Sequence, residues 1–471
     1  MSVPTEAGPA VVADDLIIVS VDDHVVEPPD LFVGRISSKY ADRAPQVVRN
    51  DLGQEMWRFE GVDFPNFGLN AVAGRPQEEF GVEPTSFAEI RNGCYDVHAR
   101  IVDMNAGGVL GSMSFPSWPQ FCGQAFTNAF VSSGDEAFVL EVLRAYNDWH
   151  VEDWCGAYPD RLIPLIVVPY WNPELMAAEV YRNAARGVRA VSFSENPSKL
   201  GNVFTGFEVP SFHSEHWDPF WRACEETATV VCLHIGSSSG VKMTTIDSPF
   251  ATMMNLQPTA VMDTAADLLW SRVIREFPGV KFALSEGGLG WIPYLLERAD
   301  WVQEHHHVWT GSGFGDRLPS EVFREHFVAC FISDEVGLQL IDRIGVDAVC
   351  VEMDYPHSDS TWPVTPERLA PQLSGLSASD VAKVTHLNAM RLFGFDPFAI
   401  RDPSSCTAAA LRADAGDVDV GPAAPRRPFV APARPLTMTD MLNAAAHPLL
   451  DDQAQELGLD DDADDTEGAT Q

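Results

Sequence analysis

The stretch Leu16-Ile-Ile-Val-Ser20-Val21-Asp22-Asp23-His24-Val-Val-Glu27 decides how the rest of the chain is read. Its first half is a short, continuous apolar run, which suits a parallel strand covered on both faces. Its second half carries metal-competent side chains. Residues two apart on a strand share a face, so Asp22 and His24 point to one side. A carboxylate beside an imidazole at a strand end is half of a metal site.

Working outward, seven more runs of the same kind follow: Val109–Phe115, Leu162–Pro169, Ala190–Phe193, Val230–His234, Lys281–Ser285, Val328–Phe331 and Ala348–Val351. Helical patterns lie between most of them, the clearest being Glu136–Cys155, Pro173–Arg186, Asp218–Thr227, Ala260–Glu276, Trp291–Trp309, Asp334–Ile344 and Ser379–Phe393. Pro173 and Pro219 stand where helix starts tolerate proline, behind Asn172 and Asp218 as N-caps. Eight strands alternating with helices predict an α/β fold, a (β/α)8 TIM barrel, with a doubly wound sheet as the alternative.

The organisation read from the sequence is a flexible arm over 1–14, a barrel over 15–402 and a largely disordered acidic tail over 403–471. Within the barrel, 27–106 is an insertion after the first strand and 240–255 one after the fifth. The first insertion holds Trp57, Phe59, Phe64 and Phe67 and is placed over the barrel mouth. The tail ends in a run of aspartates and cannot bury enough apolar surface to offset its chain entropy; Leu436–Leu450 is its one helical stretch.

Composition narrows the function. The chain has 471 residues, 45% of them hydrophobic, and a net charge of −37. That charge argues against nucleic acid and anionic membrane surfaces, which reward Lys and Arg. No apolar run reaches the roughly 18 residues of a membrane span, and the N-terminus has no signal-peptide core, so the expected location is the cytoplasm. The eight cysteines form no CxxC pair and read as reduced core thiols.

Barrel enzymes place their chemistry at the C-terminal ends of several strands. Here His234 ends the fifth strand, Glu286 the sixth, and Asp354 the eighth, three residues before His357. Taken with Asp22 and His24, four strand ends carry metal-competent groups. In this order the residues resemble the amidohydrolase-2 branch of the amidohydrolase superfamily, which includes aminocarboxymuconate-semialdehyde decarboxylase and the resorcylate decarboxylases. The matching motifs are Asp22-x-His24, His234-x-Gly236, Ser285-Glu-Gly-Gly288 and Asp354-Tyr-Pro-His357, spanning residues 16–396. The resemblance implies a (β/α)8 barrel, a homodimer, and a divalent metal held by Asp22, His24, His234 and Asp354. Two positions depart from it. Asp22 stands where relatives carry His or Glu, and Glu286 where the decarboxylases often carry His.

Glu286 adds a ligand, and Glu27 and the run Glu304-His305-His306-His307 add candidates. The set therefore allows one Zn, Fe or Mn ion or two, with Glu286 and His305 as additional ligands. Against this, three consecutive histidines on a helix point in different directions, as a surface cluster does. A bound ion can bring water to hydroxide near neutral pH, with Asp354 or Glu286 taking its proton and His357 orienting Asp354 or meeting the substrate. This reading makes the chain a metal-dependent hydrolase of an ester, thioester or amide carbonyl on a bulky organic acid, with a place in secondary metabolism. The alternatives are non-oxidative decarboxylation of an aromatic or unsaturated acid, and a barrel that binds without turnover. Gly236-Ser-Ser-Ser-Gly240 fits the nucleophile-elbow pattern, but no helix follows it at once, so these serines are assigned to the mouth. Phe115, Trp118, Phe121 and Trp171 give that mouth an aromatic character, and Lys199 and Arg100 are cations without an assigned place.

Overall fold

The computed structural model describes residues 10–51, 53–65, 70–80, 84–200, 208–424 and 431–440. Among the described residues, twelve strands run in chain order: β1 (Val19–Val25), β2 (Gln46–Arg49), β3 (Glu55–Phe59), β4 (Val62–Pro65), β5 (Gly111–Pro116), β6 (Leu162–Ile163), β7 (Leu165–Ile166), β8 (Ala190–Ser194), β9 (Val230–His234), β10 (Phe282–Ser285), β11 (Phe327–Phe331) and β12 (Val349–Val351). β6 and β7 are one strand path interrupted at Pro164, which has no N–H for the ladder. Parallel pairing joins β1 to β5 and β5 to β6, and then runs from β7 through β8, β9, β10 and β11 to β12. The ring closes between β12 and β1, where the His24 N–H donates to the Tyr355 carbonyl at 2.7 Å and the Asp354 N–H to the Asp22 carbonyl at 2.9 Å. The fold is the (β/α)8 barrel, and all eight apolar runs contribute a strand to it.

The two-residue period of the strands divides their side chains. Val230, Cys232, Ala283, Val328, Cys330 and Cys350 belong to the cluster that fills the barrel. Their alternates Val231, Leu233, Leu284, Ala329, Phe331 and Val351 pack under the helices. Small interior residues leave room for the strands to close. All eight cysteines are free and buried. Asn172 caps its helix, accepting from the Glu174 and Leu175 N–H groups. Asp218 does not act as a cap: it is the first helical residue, and its carboxylate takes a pair of hydrogen bonds from Arg272.

Between β1 and β5, β2–β3–β4 form an antiparallel meander, and helix Val97–Ala106 leads back into the barrel. The Trp57 ring stacks on Trp118 at 4.9 Å, and Phe59 meets Phe126, so the meander leans on the chain that follows β5.

The first part of the C-terminal region is ordered, unlike the loose tail read from its composition. Ala408–Ala415 is a helix that buries Ala408 and Leu411, and the Ala408 N–H donates to the Leu16 carbonyl. A few apolar residues placed one turn apart achieve this where average composition gives no sign. Farther on, the Phe250 N–H donates to the Leu436 carbonyl at 2.7 Å. The remainder of the Leu436–Leu450 helix, the acidic end and most of the 1–14 arm lie outside the described residues. Among the described residues, no helix is long and apolar enough to cross a membrane.

Candidate metal centre

Four strand ends converge on one point. Strand β1 brings Asp22 and His24, and a register shift between Ser20 and Asp23 re-aims its end. β9 ends in His234. The residue after β10 is Glu286, and three residues beyond β12 stands Asp354. Glu286 and Asp354 both sit at positive φ, 56° and 59°, a conformation that costs a non-glycine residue and that clusters at functional sites.

The donor atoms crowd together. His24 Nε2 lies 3.1 Å from His234 Nε2, 3.4 Å from Asp22 Oδ1 and 3.6 Å from Asp354 Oδ1. His234 Nε2 lies 3.4 Å from Asp22 Oδ2 and 3.6 Å from Glu286 Oε2. Ligands placed about 2.1 Å from one ion stand roughly 3.0–3.4 Å from each other, and this set has that spacing. Both Asp22 oxygens and Asp354 Oδ2 are buried with no hydrogen-bond partner. Such groups are costly unless something else satisfies them. The Nδ1 of His234 lies 2.6 Å from the Ile235 carbonyl, a contact that places the proton there and turns the Nε2 lone pair toward the cluster. A divalent cation fits these residues, with Asp22, His24, His234 and Asp354 as the four that would hold it.

The electrostatics agree. Burial first, then Glu352, Glu286 and Asp354, push Asp22 well above the usual carboxylate range. Burial likewise pushes Asp354 up, with Glu286 adding to it. Burial alone would raise Glu286 as well, but the His234 and His357 imidazoles outweigh it and hold Glu286 at about 2. So dense a set of carboxylates calls for positive charge. His357 supplies part of it. Its Nδ1 lies 2.8 Å from Asp354 Oδ1 and 3.9 Å from Glu286 Oε1. Burial pulls its pKa down, yet these two carboxylates raise it to about 10. The His357 ring stacks on His24 at 3.7 Å, and its Nε2 is buried without a partner.

His305 is not part of this centre. It sits on the exposed face of helix Ile292–Thr310, its ring stacked on Trp301 at 3.8 Å and its Nδ1 3.0 Å from the Trp301 carbonyl. His306 accepts from the Trp309 indole N–H, and His307 Nδ1 lies 2.6 Å from the Gln303 carbonyl. The run is helix surface, so the second-ion role drawn from it falls away. Glu27 is occupied too: it accepts from the Ser117 and Trp118 N–H groups and from the Tyr146 hydroxyl. Among the described residues the two groups able to hold an ion share His24 and so lie side by side.

Arg100 and the serine of the elbow pattern find structural explanations. Arg100 is fully buried beneath the site, donating to the carbonyls of His24 and Gly93 and to the Ser114 hydroxyl. Ser238, the serine of the elbow pattern, is buried and donates to Glu195 Oε1 at 2.5 Å. Sequence reasoning overlooked Glu352, whose carboxylate accepts from the Glu286 N–H at 3.1 Å. It stands two residues before Asp354, and alternation along the strand was the signal that could have found it.

Comparison with known proteins adds a family. The family model described as Amidohydrolase matches residues 99–395. No curated protein matches the chain. Among solved structures, an amidohydrolase from Mycobacterium avium subsp. paratuberculosis superposes with a TM-score of 0.59 at 21% identity, covering 80% of this chain and 98% of that one. The 5-carboxyvanillate decarboxylase of Sphingomonas paucimobilis gives 0.54 at 17% identity, over 81% and 100% of the two chains. A dihydroxybenzoic acid decarboxylase from Polaromonas sp., solved with manganese and 2-nitroresorcinol, gives 0.52 at 16% identity, over 80% and 96%. At these identities the likeness to the solved structures is one of fold.

Proposed function

The chain belongs to the amidohydrolase family, a family of enzymes that work with a divalent metal, and from that premise we propose that it is a metal-dependent, non-oxidative decarboxylase of a bulky aromatic carboxylic acid. The observation that carries this reading is the single cluster of donors with His357 beside it. Neither His305 nor Glu27 supplies a ligand for the second ion of a two-ion hydrolase site. The absence of an imidazole at position 286 weighs against decarboxylation, because it removes one candidate proton donor. His357 answers that objection from the loop after β12, with Nε2 unpartnered in a chamber it lines with Glu286 and Asp354. The names of two structural neighbours support the same chemistry.

A divalent ion bound by the four ligands supplies positive charge to hold and polarise the substrate's oxygens. Asp354 and Glu286 keep His357 charged and oriented. As the bond between ring carbon and carboxylate breaks, its electron pair stays on the ring carbon, CO2 leaves, and His357 Nε2–H delivers the proton to that carbon. Phe121, packed 4.3 Å from the His234 ring and 5.0 Å from the His24 ring, keeps one side of the site dry. Hydrolysis of a carbonyl substrate is the second reading, favoured by one observation: a carboxylate at 286 can act as the base for water.

The test is product analysis with the manganese-loaded protein. Substituted hydroxybenzoates and their larger homologues are expected to lose CO2, and the product formed in D2O to carry one deuterium at the vacated carbon. Cleavage of esters or thioesters with no CO2 from any acid would overturn the proposal.

A further inference from the structure

We infer that the cavity walled by β2–β4 holds the distal part of the substrate, and that this part is a bulky, uncharged ring system. The inference rests on the decarboxylase reading for what happens at the metal, but its own basis is the shape and chemistry of the cavity. The cavity has a volume of about 680 Å3, in the range that takes a drug-sized ligand. A second chamber of about 290 Å3 carries Glu286, Asp354 and His357. Asn70, Phe121, Gly236 and Ser239 line both, so the two chambers share a wall beside the metal centre. A one-ring acid seated in the near chamber leaves the far one to water.

The far walls are aromatic, with Trp57, Phe64, Phe87, Trp118 and Phe121. Among the described residues lining either chamber there is no Lys or Arg. The acidic residues of the far chamber are already engaged. Glu55 pairs with Arg49 and accepts from the Phe87 N–H, Asp63 pairs with Arg58, and Glu27 accepts two backbone N–H groups. A phosphate or a second carboxylate seated there would be buried without a counter-charge, which opposes its binding. Coenzyme-linked and dicarboxylic substrates are therefore disfavoured, and the one acid group belongs at the metal end. The polar atoms of Trp57, Trp118, Ser117 and Gln120 are themselves buried, so these residues add no charge to the walls. Flat aromatic walls suit fused or linked rings.

Prodan, an uncharged naphthyl ketone, probes the cavity without needing turnover. Titration of the full-length, metal-depleted protein should give saturable one-to-one binding with blue-shifted emission. A naphthalene sulfonate of the same size should bind at least about tenfold more weakly. Asn128 lines the far chamber only, so Asn128→Trp should fill it and weaken prodan about tenfold, while Asn128→Leu, which keeps the volume, stays within about threefold. Circular dichroism confirms that both variants fold. In the decarboxylation assay, Asn128→Trp should lower kcat/KM for a hydroxynaphthoic acid and spare a hydroxybenzoic acid. Equal or tighter sulfonate binding, no prodan binding, or indifference of prodan to a folded Asn128→Trp would overturn the inference. Prodan binding as described with no CO2 from any acid would instead sink the decarboxylase reading and leave the cavity's assignment standing.

Discussion

The Nε2 atoms of His24 and His234 face each other at 3.1 Å, and each lies 3.4 Å from a different oxygen of Asp22. Two imidazole lone pairs and a carboxylate do not settle at such distances by themselves. With a cation among them, every contact becomes a ligand–ligand spacing.

Metal content follows from that geometry. Purified protein supplied with manganese should carry about one ion per chain by elemental analysis, and adding the ion should raise Tm, because a ligand that binds only the folded state stabilises it. His234→Ala and Asp22→Ala should each lose the bound ion and the Tm response together. A stoichiometry near two would restore the binuclear site.

His357→Asn should retain the ion, since the four ligands remain, and should lower kcat by about 10²–10⁴, the usual range for a positioned acid. Wild-type activity with metal bound and His357 absent would remove it from the proton path.

Arg100 is expected to be structural. Its guanidinium donates to the His24 and Gly93 carbonyls under the site and lies 4.5 Å from the Tyr355 ring centroid. It also draws down the pKa of Asp23, which burial pushes up to about 6. Arg100→Met should cost about 3–5 kcal/mol in urea denaturation, because it leaves buried acceptors and a carboxylate without their cation.

What the sequence disclosed followed from the local physics of each element. A parallel strand buried on both faces must be apolar along its length, so the barrel strands stood out one by one, and the groups at their ends came with them. Val230–His234 matches its strand to the residue. His305 misled because a histidine on a helix looks the same whether it faces a metal or water; only the packing of Trp301 shows which. Arg100 and Glu352 escaped notice because their roles depend on what lies across the barrel. Arg100 meets a carbonyl from β1, and Glu352 meets the backbone after β10, neither close in sequence. The two-chambered cavity depends on Trp57 meeting Trp118 across 61 positions of chain, which no local pattern specifies.

Glu27 gives a pH signature. It is fully buried, and burial pushes it up to about 7 against hydrogen bonds that pull the other way. Its pKa in the unfolded chain is near 4.5, so the folded state holds the proton more tightly. The stability this contributes is complete below about 4.5 and is lost as pH rises through 7, a change on the order of 3 kcal/mol. Glu27→Gln removes this contribution, so the unfolding free energy of the variant minus that of the wild type should grow from pH 4.5 to 7.5. A constant difference would show that Glu27 is ionised throughout.

Glu286→Gln separates the two chemistries. In decarboxylation Glu286 never touches a migrating proton. It is one of two carboxylates near His357 Nδ1, at 3.9 Å, with Asp354 at 2.8 Å. Removing its charge leaves Asp354 in place, so His357 stays an acid with a lower pKa. At neutral pH kcat should then fall by no more than about tenfold, and the alkaline limb of the pH–rate profile should move to lower pH. In hydrolysis Glu286 is the group that takes the water's proton, and the amide cannot do so. The loss would then be about 10²–10⁴ at every pH, with no displacement of the limb. The decarboxylase reading requires the first pattern, measured on the variant with its metal content verified, and the second would transfer the assignment to hydrolysis.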